Sequence, residues 1–156
     1  MKKFLMLLLT VLFTAVLFAG DAPRGWTTDI NAALAQAKRE NKRVLILFTG
    51  SDWCNYCIRL KKDVLDKKAF KNLAEENFVP VYFDFPHRNQ PSDAQMRIQN
   101  QWRTKLQIQG YPTMAIVDAD GKMLGKIIGY RQREQYLGEL EKYLPPGRGN
   151  RSRSGR

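Results

Sequence analysis

Cysteine and histidine are scarce here, with two of the first and one of the second in 156 residues. That scarcity narrows the chemistry. Structural zinc takes four protein ligands and catalytic zinc three. Cys54, Cys57 and a lone His87 in an expected loop therefore argue against a metal site within one chain, and only an intermolecular one stays open. Acidic residues are also few, 15 against 26 Lys and Arg, for a formal charge of +11. The excess favours acidic surfaces, anionic lipid or nucleic acid without selecting among them, and no nucleic-acid motif accompanies it. Internal repeats are lacking, and the long apolar run is confined to the N-terminus. What remains, 44% hydrophobic and 11% aromatic residues, is globular material for one domain.

Lys2 and Lys3 followed by the apolar stretch 4–19, ending in small residues, read as an export signal over residues 1–20. The position three before the expected cut is Leu17, a tolerable rather than ideal residue. An uncleaved N-terminal anchor is the alternative, although about 16 apolar residues fall short of the roughly 20 that a span needs. No cysteine follows the run, which argues against a lipid-anchored form. The domain over 21–144 is thus expected outside the cytoplasm, in a bacterial periplasm or secreted, where disulfides persist. The tail 145–156 has four arginines and no apolar residue. It is expected to be disordered, with weak contact to anionic envelope polymer or lipid as its one suggested partner.

Within the domain, "TTDINAALAQAKRENKR" has helical spacing at Ile30, Ala33, Leu34 and Ala37, with Thr27 or Thr28 as the expected cap. "VLILFT" (44–49) is continuously apolar, as a strand buried on both faces should be. A short turn leads to the cysteines and a helical stretch to Leu65. A further helix is expected from Asp66 to about Asn77, with Leu65 and Phe70 as a hydrophobic staple. "FVPVYFDF" (78–85) reads as a strand whose Pro80 belongs near a sheet edge or among the strand's first residues. "SDAQ" reads as a capping box with Ser92 and Gln95, opening a helix to about Ile108. Two strands joined at Asp120-Gly121 form a hairpin, and a helix over about 131–144 is stopped by Pro145 and Pro146. The order α-β-α-α-β-α-β-β-α predicts a mixed sheet of about four strands with helices on both faces.

The question is what Cys54 and Cys57 do in "SDWCNYCIRL". Residues three apart on a helix stand about 5–6 Å from each other, within disulfide range. A helix start favours a thiolate at Cys54, which makes it the attacking sulfur, while Cys57 one turn deeper is better shielded. A bridge over two residues adds little chain-entropy stabilisation, so it serves poorly as a staple and well as a switch. Two inert thiols would be expected inside a core segment rather than just after a polar Ser-Asp turn. Strand, turn and CxxC at a helix start together point to redox chemistry.

"VLILFTGSDWCNYC", with "IQGYPTMAIVDADGK" far downstream, resembles the thioredoxin superfamily, in particular its exported single-domain members with a GSDWCxxC motif. The likeness spans about residues 26–144. It implies a thioredoxin-like α/β fold, with Cys54 as nucleophile, Cys57 as resolving cysteine and both joined in the oxidised state. It also implies Pro112 as the family's cis-proline, Tyr111 as the residue whose backbone pairs with an extended substrate, and Trp53 as the flanking tryptophan. Only X–Pro bonds reach cis at low cost, so Tyr111-Pro112 suits that role.

Two departures stand out. Leu47 or Phe48 occupies the place of the buried acid of familiar thioredoxins, and Pro80 that of its lysine. The intervening dipeptide is Asn55-Tyr56, which leaves the direction of electron flow open. The implied activity is thiol–disulfide exchange on protein or peptide substrates with a redox partner protein and no cofactor. A peptide-binding or chaperone-like module is the alternative.

Overall fold

The computed structural model describes residues 22–147. The expected export segment and the tail beyond Gly147 lie outside the described residues. Helices α1 (Ile30–Glu40), α2 (Asn55–Leu60), α3 (Lys68–Asn77), α4 (Asp93–Lys105) and α5 (Arg133–Glu141) surround strands β1 (Arg43–Thr49), β2 (Phe78–Asp84), β3 (Thr113–Val117) and β4 (Met123–Ile128). A π-helical segment, Lys61–Leu65, continues α2. The sheet order is β2-β1-β3-β4. β1 runs parallel to β2 and antiparallel to β3, and β3 and β4 form the hairpin.

The central place of β1 follows from its side chains. Strand residues alternate between faces, and both faces of β1 are covered. Leu45 and Leu47 enter one core with Leu60, Val64, Phe70 and Leu140. Val44, Ile46 and Phe48 enter the other with Ile30, Ala37, Val81 and Leu106. The apolar run predicted this double burial.

Pro80 lies in β2, an edge strand, as expected. Its carbonyl accepts from the Thr27 N–H at 3.0 Å, and the Tyr82 N–H donates to the Thr27 carbonyl at 2.8 Å. Backbone groups of one strand residue point the same way, so the N–H that proline lacks would have faced this outer side and not β1. Thr27 thus covers part of the edge. At the hairpin, Gly121 takes a φ of 78°, which a residue without Cβ adopts freely.

Several local expectations are corrected. The N-cap of α1 is Asp29, whose carboxylate accepts from the Ala32 N–H at 3.0 Å; Thr27 is committed to its bridge with Val81. The helix expected from Asp66 begins at Lys68, because Asp66 closes the π segment. Its N–H donates to the Lys61 carbonyl at 2.9 Å, and its carboxylate meets Lys61 Nζ at 2.7 Å. Leu65 and Phe70 are both buried in one core, but not at staple positions. Ser92 does cap α4, accepting from the Gln95 N–H at 3.2 Å. The Gln95 side chain instead donates to the Thr28 carbonyl at 3.0 Å. α4 stops at Lys105 and α5 at Glu141, both short of their expected ends.

Tyr136 is fully buried, and its hydroxyl has no hydrogen-bond partner among the described residues. Burial raises its phenol pKa well above the ordinary value. A buried polar group without a partner costs about 1–3 kcal/mol. Tyr136→Phe is therefore expected to stabilise the fold by about 1 kcal/mol, seen as a higher urea midpoint. A lower midpoint would refute the reading.

Candidate active site

β1 leaves the sheet at Thr49, and the Trp53 and Cys54 N–H groups both turn back to the Gly50 carbonyl, at 3.4 and 3.0 Å. This turn delivers Cys54 to the N-cap of α2. Its Sγ accepts from the Cys57 N–H at 3.3 Å, and its carbonyl accepts from the N–H groups of Cys57 and Ile58. Cys54 and Cys57 are joined in a disulfide with their Cα atoms 5.2 Å apart. Both are nearly covered, at 8% and 4% exposure, whereas Trp53, Tyr56 and Ile58 around them are exposed.

The Tyr111–Pro112 peptide is cis. Thr113, the next residue, pairs with Phe48 near the end of β1, so the register brings this peptide to the end of the sheet where the cysteines sit. Tyr111 and Trp53 meet edge to face at 5.9 Å. Residues predicted from distant parts of the sequence therefore gather at one end of the sheet. His87 occupies a loop as expected, with its ring stacked 5.0 Å from that of Trp53. Phe85 stacks on Tyr111 at 5.2 Å, and Arg103 lies over Phe85 while Nη1 donates to the Tyr111 hydroxyl at 3.3 Å. Gly50 permits this packing, since a Cβ there would stand 2.5 Å from the Trp53 indole.

Two carboxylates tie the cysteine loop to the loop after β2. Asp84 accepts from the Ser51 N–H at 2.9 Å and from the Ser51 hydroxyl at 2.5 Å. Asp52 accepts from the N–H groups of His87 and Arg88 at 2.9 and 2.8 Å. The Trp53 indole N–H donates to the Phe85 carbonyl at 2.8 Å, a third tie. None of these partnerships was predicted. Each joins residues more than thirty apart, and the only sequence signal was an aspartate at the end of a strand.

The backbone N–H of His87, then that of Arg88, hold the Asp52 carboxyl below its ordinary pKa. A carboxyl depressed in the folded state adds stability above its unfolded pKa and loses it as pH falls through the folded value. The Asp52 latch should thus be intact at neutral pH and begin to weaken as pH falls below the unfolded carboxyl's value of about 4. It should be lost only through the lower folded value. Asp52→Asn is expected to lower the urea midpoint at pH 7, with the gap to wild type closing toward pH 2–3. A gap independent of pH would contradict this.

Of Leu47 and Phe48, the two positions flagged for the missing acid, Leu47 borders a cavity together with Cys57. Pro80 lies on the outer edge of the sheet and cannot titrate. Among the described residues, no three His, Cys, Asp or Glu side chains converge to hold a metal ion.

A parallel-antiparallel sheet of this order, with a CxxC disulfide at a helix start and a cis-proline at the head of the neighbouring strand, defines the thioredoxin-fold class. The chain belongs to the thioredoxin-like domain family, whose profile matches residues 30–144. It is similar to the disulfide bond reductase DsbH of Chlamydia pneumoniae, at 32% identity over 95 residues, covering 61% of this chain and 57% of the relative. The thioredoxin-related protein DsbJ of the same organism is 27% identical over 103 residues, covering 65% of this chain and 29% of DsbJ. The chain thus spans little more than half of the first relative and less than a third of the second. A solved structure of DsbH oxidoreductase superposes with a TM-score of 0.72 at 27% identity, covering 79% of this chain and 85% of that one.

Proposed function

We propose that this protein is a thiol–disulfide oxidoreductase acting on protein or peptide disulfides outside the cytoplasm, in the reducing direction. The observation that carries the reading is the Cys54–Cys57 disulfide at the start of α2, at the same end of the sheet as the cis Tyr111–Pro112 bond. In this reading the Cys54 thiolate attacks a client disulfide and forms a mixed disulfide. Cys57 then attacks Cys54 Sγ and releases the reduced client. Trp53, Tyr111 and Pro112 form the client-facing surface, and a partner protein returns the electrons.

The reducing direction is supported by the printed name of the first relative, a disulfide bond reductase. The site outside the cytoplasm rests on the basic and apolar leader. The basic tail makes at most a weak contact with anionic envelope components.

The test is reduction of a disulfide-bonded protein by wild type and Cys54→Ser. Wild type should turn over and the variant should not; equal rates would sink the proposal. Direction is read separately, as the equilibrium with glutathione. A potential near about −270 mV fits a reductase, whereas one near about −120 mV fits an oxidase and would overturn that part.

A further inference from the structure

Cys57 poses a problem of proton supply, given the reaction just proposed. When its sulfur attacks Cys54 Sγ in the mixed disulfide, the Cys57 S–H bond breaks and the Cys54–Cys57 bond forms. The bond from Cys54 to the client breaks, and the client sulfur leaves with the electron pair. The Cys57 proton must reach a base, yet Cys57 is only 4% exposed.

Beside Cys57 lies a cavity of about 120 Å³, roomy enough for several waters. Leu47, Leu60 and Leu65 supply apolar wall, and Thr49, Ser51 and Tyr82 supply hydroxyls. The Tyr82 and Ser51 side chains line this same cavity, so water in it can reach both hydroxyls. Ser51 Oγ in turn donates to Asp84 Oδ2 at 2.5 Å. Asp84 borders a larger adjoining cleft, which shares Ser51 and Tyr82 with the cavity. Two hydroxyls on the cavity wall, one of them bonded to a carboxylate, thus lead from Cys57 toward the outer cleft.

We infer that Tyr82, Ser51 and Asp84 form the proton path of Cys57. The Cys57 proton passes through cavity water to Tyr82, cavity water carries the Tyr82 proton to Ser51, and Ser51 gives its own to Asp84. Each hydroxyl receives one proton and releases one, so the net transfer is from the thiol to the carboxylate and then to water in the outer cleft. Tyr82 acts as a neutral relay; burial first, then the Asp84 charge, raises its phenol pKa above the ordinary value. Asp66 and Lys61 also face the cavity, paired with each other at 2.7 Å. Farther out, Arg24, Lys71, Arg88 and Asp52 line the cleft.

The experiment mixes reduced protein rapidly with a disulfide-bonded peptide. The concentration-dependent rate reports attack by Cys54, and the plateau at saturating peptide reports resolution by Cys57. Tyr82→Phe and Ser51→Ala should each lower the plateau roughly a hundredfold at pH 7, the lower end of an acid–base contribution. The loss should shrink as pH rises and solvent takes the proton directly, while the attack rate keeps its wild-type value. An unchanged plateau in both variants would overturn the path. So would a loss independent of pH that tracks a fall in stability, or an equal loss in Asp66→Asn with none in Tyr82→Phe. Wild type that forms no mixed disulfide would remove the proposed function and the path together; wild type that forms and resolves one leaves only the path at stake.

Discussion

Cys57→Ser should arrest the protein as a covalent adduct with its client. In that variant Cys54 keeps its place at the N-cap of α2, so attack on a client disulfide proceeds and the bond to the client forms. The sulfur that should break that bond is gone, and only external thiol can replace it. A thiol held 5.2 Å away, Cα to Cα, acts as a neighbour rather than a solute. Effective molarities for well-oriented groups reach about 10⁵ M and above. Release by millimolar external thiol should therefore be slower by several orders of magnitude, up to about 10⁸-fold. Adducts sensitive to reductant should accumulate on non-reducing gels, and Cys54→Ser should form none. Adducts on Cys54→Ser but not on Cys57→Ser would mean that the two sulfurs have exchanged roles.

The largest expected loss of stability comes from Phe48→Ala. Phe48 is fully buried, meets Phe83 edge to face at 5.5 Å and stacks on Phe85 at 6.5 Å. Truncating such a ring costs about 3–5 kcal/mol, from lost transfer energy and the cavity left behind. Domains hold only about 5–15 kcal/mol in total, so the urea midpoint should fall by a large fraction. The effect should also reach the site, because Phe85 carries Tyr111 on its other contact. Client turnover should drop even where the variant remains folded. A loss below about 1 kcal/mol would mean that neighbouring side chains collapse into the space.

These two variants also mark what could be read in the sequence. Phe48 lies in an apolar run too continuous for a one-sided strand, so its burial was legible from pattern alone. Cys54 and Cys57 were legible because a strand, a turn and a helix start surround them within a few residues. The proline and tyrosine at 111–112 needed a family resemblance, since nothing near them points to sulfur chemistry. The cap at Asp29 was misassigned by one or two residues because Thr27 is drawn into a bridge with Val81. The π segment was missed for a similar reason. Its signature, Lys61 paired with Asp66 five residues on, falls outside helical spacing. The links from Asp52 and Ser51 to the loop after β2 have no periodicity at all, and only the folded register of β1 and β2 creates them.

Those links have a consequence for how the protein tells its two states apart. The ties of Ser51 to Asp84, Asp52 to His87 and Arg88, and Trp53 to Phe85 involve no sulfur. Opening the disulfide is therefore expected to leave every one of them in place. The frame around the cysteines should then be the same before and after electron exchange, which amide hydrogen exchange on the oxidised and reduced protein would check. On that expectation, a partner that must distinguish the spent form from the charged form would not rely on the shape of this frame. It would have to sense the chemistry at Cys54 itself, a bridging sulfur in one state and a free one in the other.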